Sequence, residues 1–311
     1  MILHTGNRTD IPAFYAEWFK NRLEAGYVMT RSPYDPSSVM KYSLDPSVVD
    51  LLVFCTKNPE PMTKYAELLK PYRQYWYVTI TPYGKDMEPN VPNKHRIIEI
   101  TKDLGRRLGK NCVGWRFDPI IVNEKYTVGY HLRAFRRIAE ELDGYVSTCV
   151  FSFVDLYEKV KRNAPDIRET DAETRRILGK EIIKIAKEHH MAVRPCSEGN
   201  IWEQFGADCG GCMSAKVLEE AAGVPLNIPQ SRYHREGCAC YLGADIGMYD
   251  TCGHFCRYCY ANTNREAVIK NRKLHDPSSP LLIGNLEPGD KITEVRQVSW
   301  ITYSQQSFED L

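Results

Sequence analysis

The sequence predicts an α/β protein built on a parallel (βα) barrel of the TIM type, complete or partial. Three observations lead there. Strand-like and helix-like segments alternate through the first two-thirds of the chain, and such alternation argues for a parallel sheet. Strand starts fall roughly 25–50 residues apart and six units precede residue 200, more than a small doubly wound sheet requires. Each helical segment carries a single apolar stripe, as a helix lying on a sheet does.

The strand candidates are Met1–His4, Val49–Cys55, Tyr75–Ile80, Cys112–Phe117, Tyr145–Phe153 and Met191–Pro195. Most are rich in the β-branched and aromatic residues of buried strands. Helices fall between them. Asp10 and Pro12 open one with Tyr15, Trp18, Phe19 and Leu23 on one face. Ile97, Ile100, Leu104 and Leu108 recur at helical spacing before Gly109, and Val128, Leu132, Phe135, Ile138 and Leu142 before Gly144. Leu178, Ile182 and Ile185 mark a longer helix from near Asp171. Residues 26–45 read as a hairpin-like insertion, with SPYDPSS as its turn. These units make up residues 1–195. Residues 196–243 form a Cys-rich insertion around one short helix near Met213–Ala222. Residues 244–275 hold a last strand in ADIGMY, a cysteine loop and a helix near Thr263–Asn271. Residues 276–311 form a tail.

Composition excludes several function classes. The 41 basic and 40 acidic residues leave a net charge of +1, so no global field favours nucleic acid or a membrane surface. No apolar run approaches the roughly 18 residues of a membrane span. The opening MILHTGNRTDIP lacks the basic flank and apolar stretch of a secretory signal, and the expectation is a cytoplasmic protein. Eight of the 11 cysteines lie within residues 196–259. In a long chain without an export signal, such clustering points to metal rather than disulfides.

In a parallel barrel the loops after the strands share one rim, and that rim holds the site. The strand ends here carry Arg8 and Asp10, then Thr56, Lys57 and Asn58, then Thr79, Thr81 and Tyr83. Arg116 and Asp118 follow in WRFDP, Ser152 and Asp155 in FSFVD, and Arg194, Cys196 and Glu198 in RPCSEG. Arg116 and Asp118 stand two apart in a strand-like run, so they share a face.

The strongest signal is DTCGHFCRYCYAN. Cys252, Cys256 and Cys259 form C-x3-C-x2-C. Three thiolates hold three irons of a 4Fe–4S cluster and leave the fourth open to a small molecule. Tyr258, before the last cysteine, is placed to pack on a bound cofactor. The competing reading is zinc, held by these thiols with His254 or Cys240. Among the other clustered cysteines, Cys196, Cys212, Cys238 and Cys240 are the preferred set for a second cluster or a zinc. Cys209, in the DCGGC turn, is the fifth candidate. Cys55, Cys112 and Cys149 read as strand residues packed in the core.

The cysteine loop resembles that of the radical S-adenosylmethionine superfamily. Segments RTDIPAFYAEWF (residues 8–19), CTKNP, WRFDPII and DIGMYDTCGHFCRYCYAN extend a resemblance over nearly the whole chain. They are similar to a bacterial and archaeal domain of unknown function with a C-terminal cysteine cluster of this type. FDPI and TKNP also resemble, over a short length, spore photoproduct lyase.

The resemblance implies a full or partial barrel in permuted order, with ADIGMY as the superfamily's first strand and Met1–His4 as its neighbour. It implies a 4Fe–4S cluster on Cys252, Cys256 and Cys259 that binds S-adenosylmethionine, and a 5′-deoxyadenosyl radical that abstracts hydrogen from substrate. No Gly-Gly-Glu run is present to hold the methionine amino group; SEG at 197–199 is nearest. Lys57, Arg116, Asp118 and Glu198, with Arg194, Ser152 and Tyr258, are the candidates for cofactor or substrate contacts. Cys55 is a candidate hydrogen donor to a substrate radical. The implied partners are a substrate (small molecule, peptide or nucleic-acid lesion) and an electron donor such as a flavodoxin or ferredoxin. The alternative is a non-enzymatic zinc- or iron–sulfur-binding barrel.

Overall fold

The computed structural model describes residues 1–229, 238, 240, 241 and 243–302. The strands are Ile2–His4 (β1), Tyr27–Arg31 (β2), Ser38–Ser43 (β3), Leu51–Thr56 (β4), Gln74–Thr79 (β5), Val113–Ile120 (β6), Thr148–Phe153 (β7), Ala192–Pro195 (β8), Ala244–Asp245 (β9) and Lys291–Glu294 (β10). The helices are Ile11–Phe14 (α1), Ala16–Ala25 (α2), Glu60–Thr63 (α3), Ala66–Leu69 (α4), Lys94–Leu108 (α5), Val128–Leu142 (α6), Glu158–Asn163 (α7), Ala172–Glu188 (α8), Ala215–Ala222 (α9) and Arg265–Lys273 (α10). Local chemistry sets their starts. Thr127, Asp171, Ser214 and Asn264 each accept a hydrogen bond from the backbone of the first turn of α6, α8, α9 and α10.

The expected parallel α/β sheet is present. Seven strands lie in the order β8-β7-β6-β5-β4-β1-β9, and every neighbouring pair is parallel. The strand expected over ADIGMY is only the two residues of β9. The chain turns away soon after, and Asp250 lies in the left-handed region at φ 57°. A second, three-stranded sheet has the order β10-β3-β2. Its β2 and β3 are antiparallel, while β10, from the segment read as tail, runs parallel to β3.

The two faces of the large sheet bury different partners. On one, Leu52, Phe54, Trp76, Trp115, Phe117 and Phe151 pack with Trp18 and Phe19 of α2 and the apolar stripes of α5, α6 and α8. Phe54 stacks on Trp76 at 4.1 Å and Trp115 on Phe135 at 4.6 Å. Each such ring contributes on the order of 2–3 kcal/mol by leaving water. Gly179 of α8 lets Trp202 lie against the helix, since a Cβ there would stand 2.1 Å from the indole. On the other face, Ile2, Val53, Tyr75, Tyr77 and Val150 pack against Val217, Leu218 and Ala221 of α9 and against Cys212 and Cys240. The Cys-rich segment therefore covers the face that carries no long helices.

Candidate metal centre at the strand-end rim

Parallel pairing brings all seven strand C-termini to one edge, and the cysteine loop starts there. β9 pairs with β1 through Leu3↔Ala244 and His4↔Asp245. Arg8 reinforces the joint: its Nε lies 3.0 Å from Asp245 Oδ2 and its Nη2 donates to Asp245 O. The loop is then tied down from several sides. Tyr15 donates to Thr251 O at 2.7 Å, Asn90 Nδ2 to Gly253 O at 2.8 Å, and Asn262 Nδ2 to Cys252 O at 2.9 Å. His254 Nε2 meets Asp10 Oδ2 at 2.9 Å, and its ring edge packs on Phe14. Only Nε2 is used in this way: His254 Nδ1 is buried with no hydrogen-bond partner among the described residues. A carboxylate on the far nitrogen is how proteins orient a metal-binding histidine, so the zinc alternative with His254 stays open.

Cys252, Cys256 and Cys259 are half-buried. The other two thiols act electrostatically on Cys252. Burial pushes the Cys256 thiol up to about 12, against the pull of Lys57. Burial likewise raises Cys252 and Cys259. Three thiols held protonated by burial release their protons when a cation supplies the missing charge.

Beside the loop lies a charged hub that the sequence did not single out. Glu88 is 1% exposed and accepts from Lys57 Nζ at 2.8 Å and Thr81 Oγ1 at 2.6 Å, and also from Lys94 and Tyr258. Burial works to raise its carboxyl, but Lys57 and Lys94 overcome this and hold it at about 2. Lys57 also lies over the Tyr258 ring, 5.6 Å from its centroid. The sequence signal for Glu88 is its place before Pro89, the charge-then-proline pattern that marks Asp118 and Arg194. Its distance beyond the end of β5 hid it.

The α9-covered face carries several of the other predicted rim residues, while Glu198 sits on the α8 side, beside Arg175 and Trp202. The register Cys55↔Tyr77, Tyr77↔Gly114, Arg116↔Val150 and Val150↔Arg194 sets Cys55, Arg116 and Arg194 on one side. Arg116 and Asp118 do share a face: Nη2 meets Oδ2 at 2.6 Å and Nε meets Oδ1 at 3.2 Å. The guanidinium lies over Tyr77 and reaches Cys212 Sγ at 3.7 Å. The Cys55 thiol is pushed up to about 12 by burial, with Arg116 opposing. Arg194 donates to Thr148 Oγ1 at 2.6 Å and pairs with Asp208 at 3.1 Å. Glu198 accepts from the Phe153 backbone at 2.8 Å and lies 3.5 Å from Arg175. Both are thus held by protein partners. Ser152 is buried near the end of β7. His4, at the end of β1, is fully buried, and neither ring nitrogen has a hydrogen-bond partner among the described residues.

A second group of thiols forms on the same face. Cys212 and Cys240 stand 3.2 Å apart, Cys196 interacts with Cys212, and Cys238 with Cys240. Its hydrogen bond with Cys240 draws Cys238 down to about 6. Cys240 is therefore committed here and not to the loop. Cys209 points elsewhere and packs with the opposite, helix-covered core. Among the described residues, no three His, Cys, Asp or Glu side chains already converge on one point as a metal shell.

Fold and site together define an α/β protein with a cysteine-rich loop at the strand-end edge of a parallel sheet. Residues 2–261 match the family described as a domain of unknown function, DUF1848, and the chain belongs to that family. No curated protein matches the sequence. Among the described residues, no helix is long and apolar enough to cross a membrane.

Proposed function

We propose that the chain is a radical S-adenosylmethionine-type iron–sulfur enzyme on a partial (βα) barrel in permuted order. The observation that carries the reading is the seating of the C-x3-C-x2-C loop at the shared strand-end rim, beside β1 and the Lys57–Glu88 hub. The strand order supports the barrel. A doubly wound sheet reverses its order partway. This sheet runs from β1 through β4 to β8 in chain order, with β9 added before β1.

The donor set fits a 4Fe–4S cluster. Cys252, Cys256 and Cys259 supply three thiolates, and Lys57 and Lys94 lie near enough to Cys256 to offset added negative charge. When bound with S-adenosylmethionine, such a cluster supplies the electron that yields a 5′-deoxyadenosyl radical. The protein's own groups do the rest. Lys57 is fixed by Glu88 and faces Tyr258. Arg116 and Asp118 offer one cation and one anion to polar groups of the cofactor or substrate. The His4 imidazole, fully buried and without a hydrogen-bond partner among the described residues, marks a place where a polar ligand would gain hydrogen bonds, since leaving a buried polar group unsatisfied costs about 1–3 kcal/mol. Cys55 keeps its hydrogen at neutral pH, which suits hydrogen-atom donation and not nucleophilic attack. The segment around α9 shields this face from water. The substrate is a small molecule, a peptide or a nucleic-acid lesion, and the electron comes from a donor of the flavodoxin or ferredoxin kind.

The test is anaerobic reconstitution with iron and sulfide, then reduction with S-adenosylmethionine present, in the native chain and in Cys256→Ala. The expected result is 5′-deoxyadenosine from the native chain and none from the variant. Iron bound with the cluster spectrum unmoved by S-adenosylmethionine would assign the loop to electron transfer or structure. Zinc alone, with no iron, would remove the radical reading and favour the zinc-binding alternative.

A further inference from the structure

The second thiol group lies outside the site just proposed. Its members reach one place from three separate parts of the chain. Cys196 follows β8, Cys212 precedes α9, and Cys238 and Cys240 lie just before β9. Cys212 and Cys240 are buried and Cys196 and Cys238 half-buried against Ile2, Val53 and Tyr77. Among the described residues between β8 and β9, α9 is the main regular element.

Donors are aimed at these sulfurs. The Met213 backbone N–H points to Cys240 Sγ at 3.2 Å, and Arg116 Nη1 to Cys212 Sγ at 3.7 Å. Tyr77 donates to the Cys212 carbonyl and fixes the backbone that carries the thiol. A neutral thiol is a weak acceptor. Donors converging on sulfur suit a metal-bound thiolate, whose outer partners orient it and offset its charge.

We infer that Cys196, Cys212, Cys238 and Cys240 hold a single tetrahedral ion of the zinc class, separate from the loop thiols. Spacing decides between one ion and a second cubane. Zn–S bonds near 2.3 Å place tetrahedral sulfurs about 3.8 Å apart. The 3.2 Å between Cys212 and Cys240 needs only a small opening to reach that value. A cubane spreads its ligands across the width of a cluster and would force the same buried thiols much further apart. The ion draws the four thiols onto one point, closes the loops on either side of α9, and clamps that helix to the sheet. The site is closed, with four protein ligands, so its role is structural.

The experiment uses the full chain with Cys252→Ala, Cys256→Ala and Cys259→Ala, grown with both zinc and iron and purified without oxygen or added metal. The readouts are metal and acid-labile sulfide per chain, then the spectrum after exchange to cobalt(II). Close to one zinc per chain is expected, with no sulfide and the ligand-field bands of tetrahedral thiolate cobalt. Adding Cys238→Ser should lower zinc retention at least tenfold; its half-buried position makes it a milder change than one at Cys212. If that variant fails to fold, stoichiometric zinc release from the loop variant by a mercurial, read with a metallochromic dye, gives the same answer. A folded loop variant without metal overturns the inference. Four irons with four sulfides overturns it in favour of a cubane. Neither result touches the radical proposal, because the loop cysteines are absent from this variant.

Discussion

Glu88→Gln is the sharpest perturbation of the hub beside the cysteine loop. The substitution keeps the shape of the side chain and removes its charge. Lys57 and Lys94 are then left facing a neutral amide in a place where the native carboxylate is 1% exposed. The magnitude follows from the carboxyl itself. Burial opposes its ionisation, yet the two lysines bring it from its ordinary 4.5 to about 2. A depression of about 2.5 pH units, at 1.36 kcal/mol for each, is about 3 kcal/mol of stability at neutral pH. The usual cost of breaking a buried ion pair by removing one partner, about 3–5 kcal/mol, agrees.

The sign of the pH dependence is fixed by the same numbers. The folded carboxyl ionises more readily than the unfolded one. Its contribution is complete above about 4.5 and is lost as pH falls through about 2. Urea unfolding of the native chain and of Glu88→Gln, with matched metal content, should therefore differ by about 3 kcal/mol at pH 7. That gap should narrow steadily between pH 5 and pH 2.5. A gap below about 1 kcal/mol at pH 7, the scale of an exposed pair, would refute the argument that the two ammonium groups depend on this carboxylate. So would a gap of full size that stays constant with pH.

Two further outcomes follow from close contacts. Gly6→Ala places a Cβ 2.1 Å from the Cys55 carbonyl oxygen, so the chain after β1 must move off β4. A loss of about 1–3 kcal/mol in chemical denaturation is expected, as for other overpacked sites. In the metal-stripped chain, mild oxidation should join Cys212 to Cys240 before any pair within the loop, because their sulfurs already stand 3.2 Å apart. Peptide mapping under non-reducing conditions reads this directly.

The parts of the fold that were legible in the sequence are those with a long enough period. α5, α6 and α8 run for 15 to 17 residues with clean apolar stripes, and β4, β5 and β7 are largely apolar runs of mostly buried residues. Elements of four to six residues, such as α3, α4 and α7, are too short to show a helical period. β10 could not be read at all. Its four residues are exposed, and it exists as a strand because β3, some 250 residues earlier, supplies the ladder. At the site, C-x3-C-x2-C is visible because its three ligands are local. Glu88 carries only the weak signal of a charge before a proline, because its meaning lies in where Lys57, Lys94 and Tyr258 arrive in space. The DCGGC turn shows the same limit. The sequence set Cys212 above Cys209 only because Cys209 sits in the turn. The folded chain supplies the physical reason, since the two, three residues apart, pack into opposite cores and Cys212 lies in the one that holds Cys196 and Cys240.

The position of the cysteine loop so late in the chain has a physical explanation in how β9 is held. A two-residue strand supplies too few ladder bonds to fix an edge by itself. β9 is fixed instead by what lies around it. Gly243 approaches the Ile2 carbonyl so closely that a Cβ would stand 2.2 Å from it. Arg8 grips both the side chain and the backbone of Asp245. Thr251 Oγ1 donates to Thr9 Oγ1 at 2.7 Å, and Tyr15 to the Thr251 carbonyl. All of these partners come from the first fifteen residues. The beginning and the end of the sheet-forming chain therefore make one joint, and the joint carries the thiols. In a sheet of parallel neighbours, a strand needs its neighbour and not its place in the sequence. A loop that depends on β1 for its footing can thus be encoded some 240 residues after it and still arrive at the same rim.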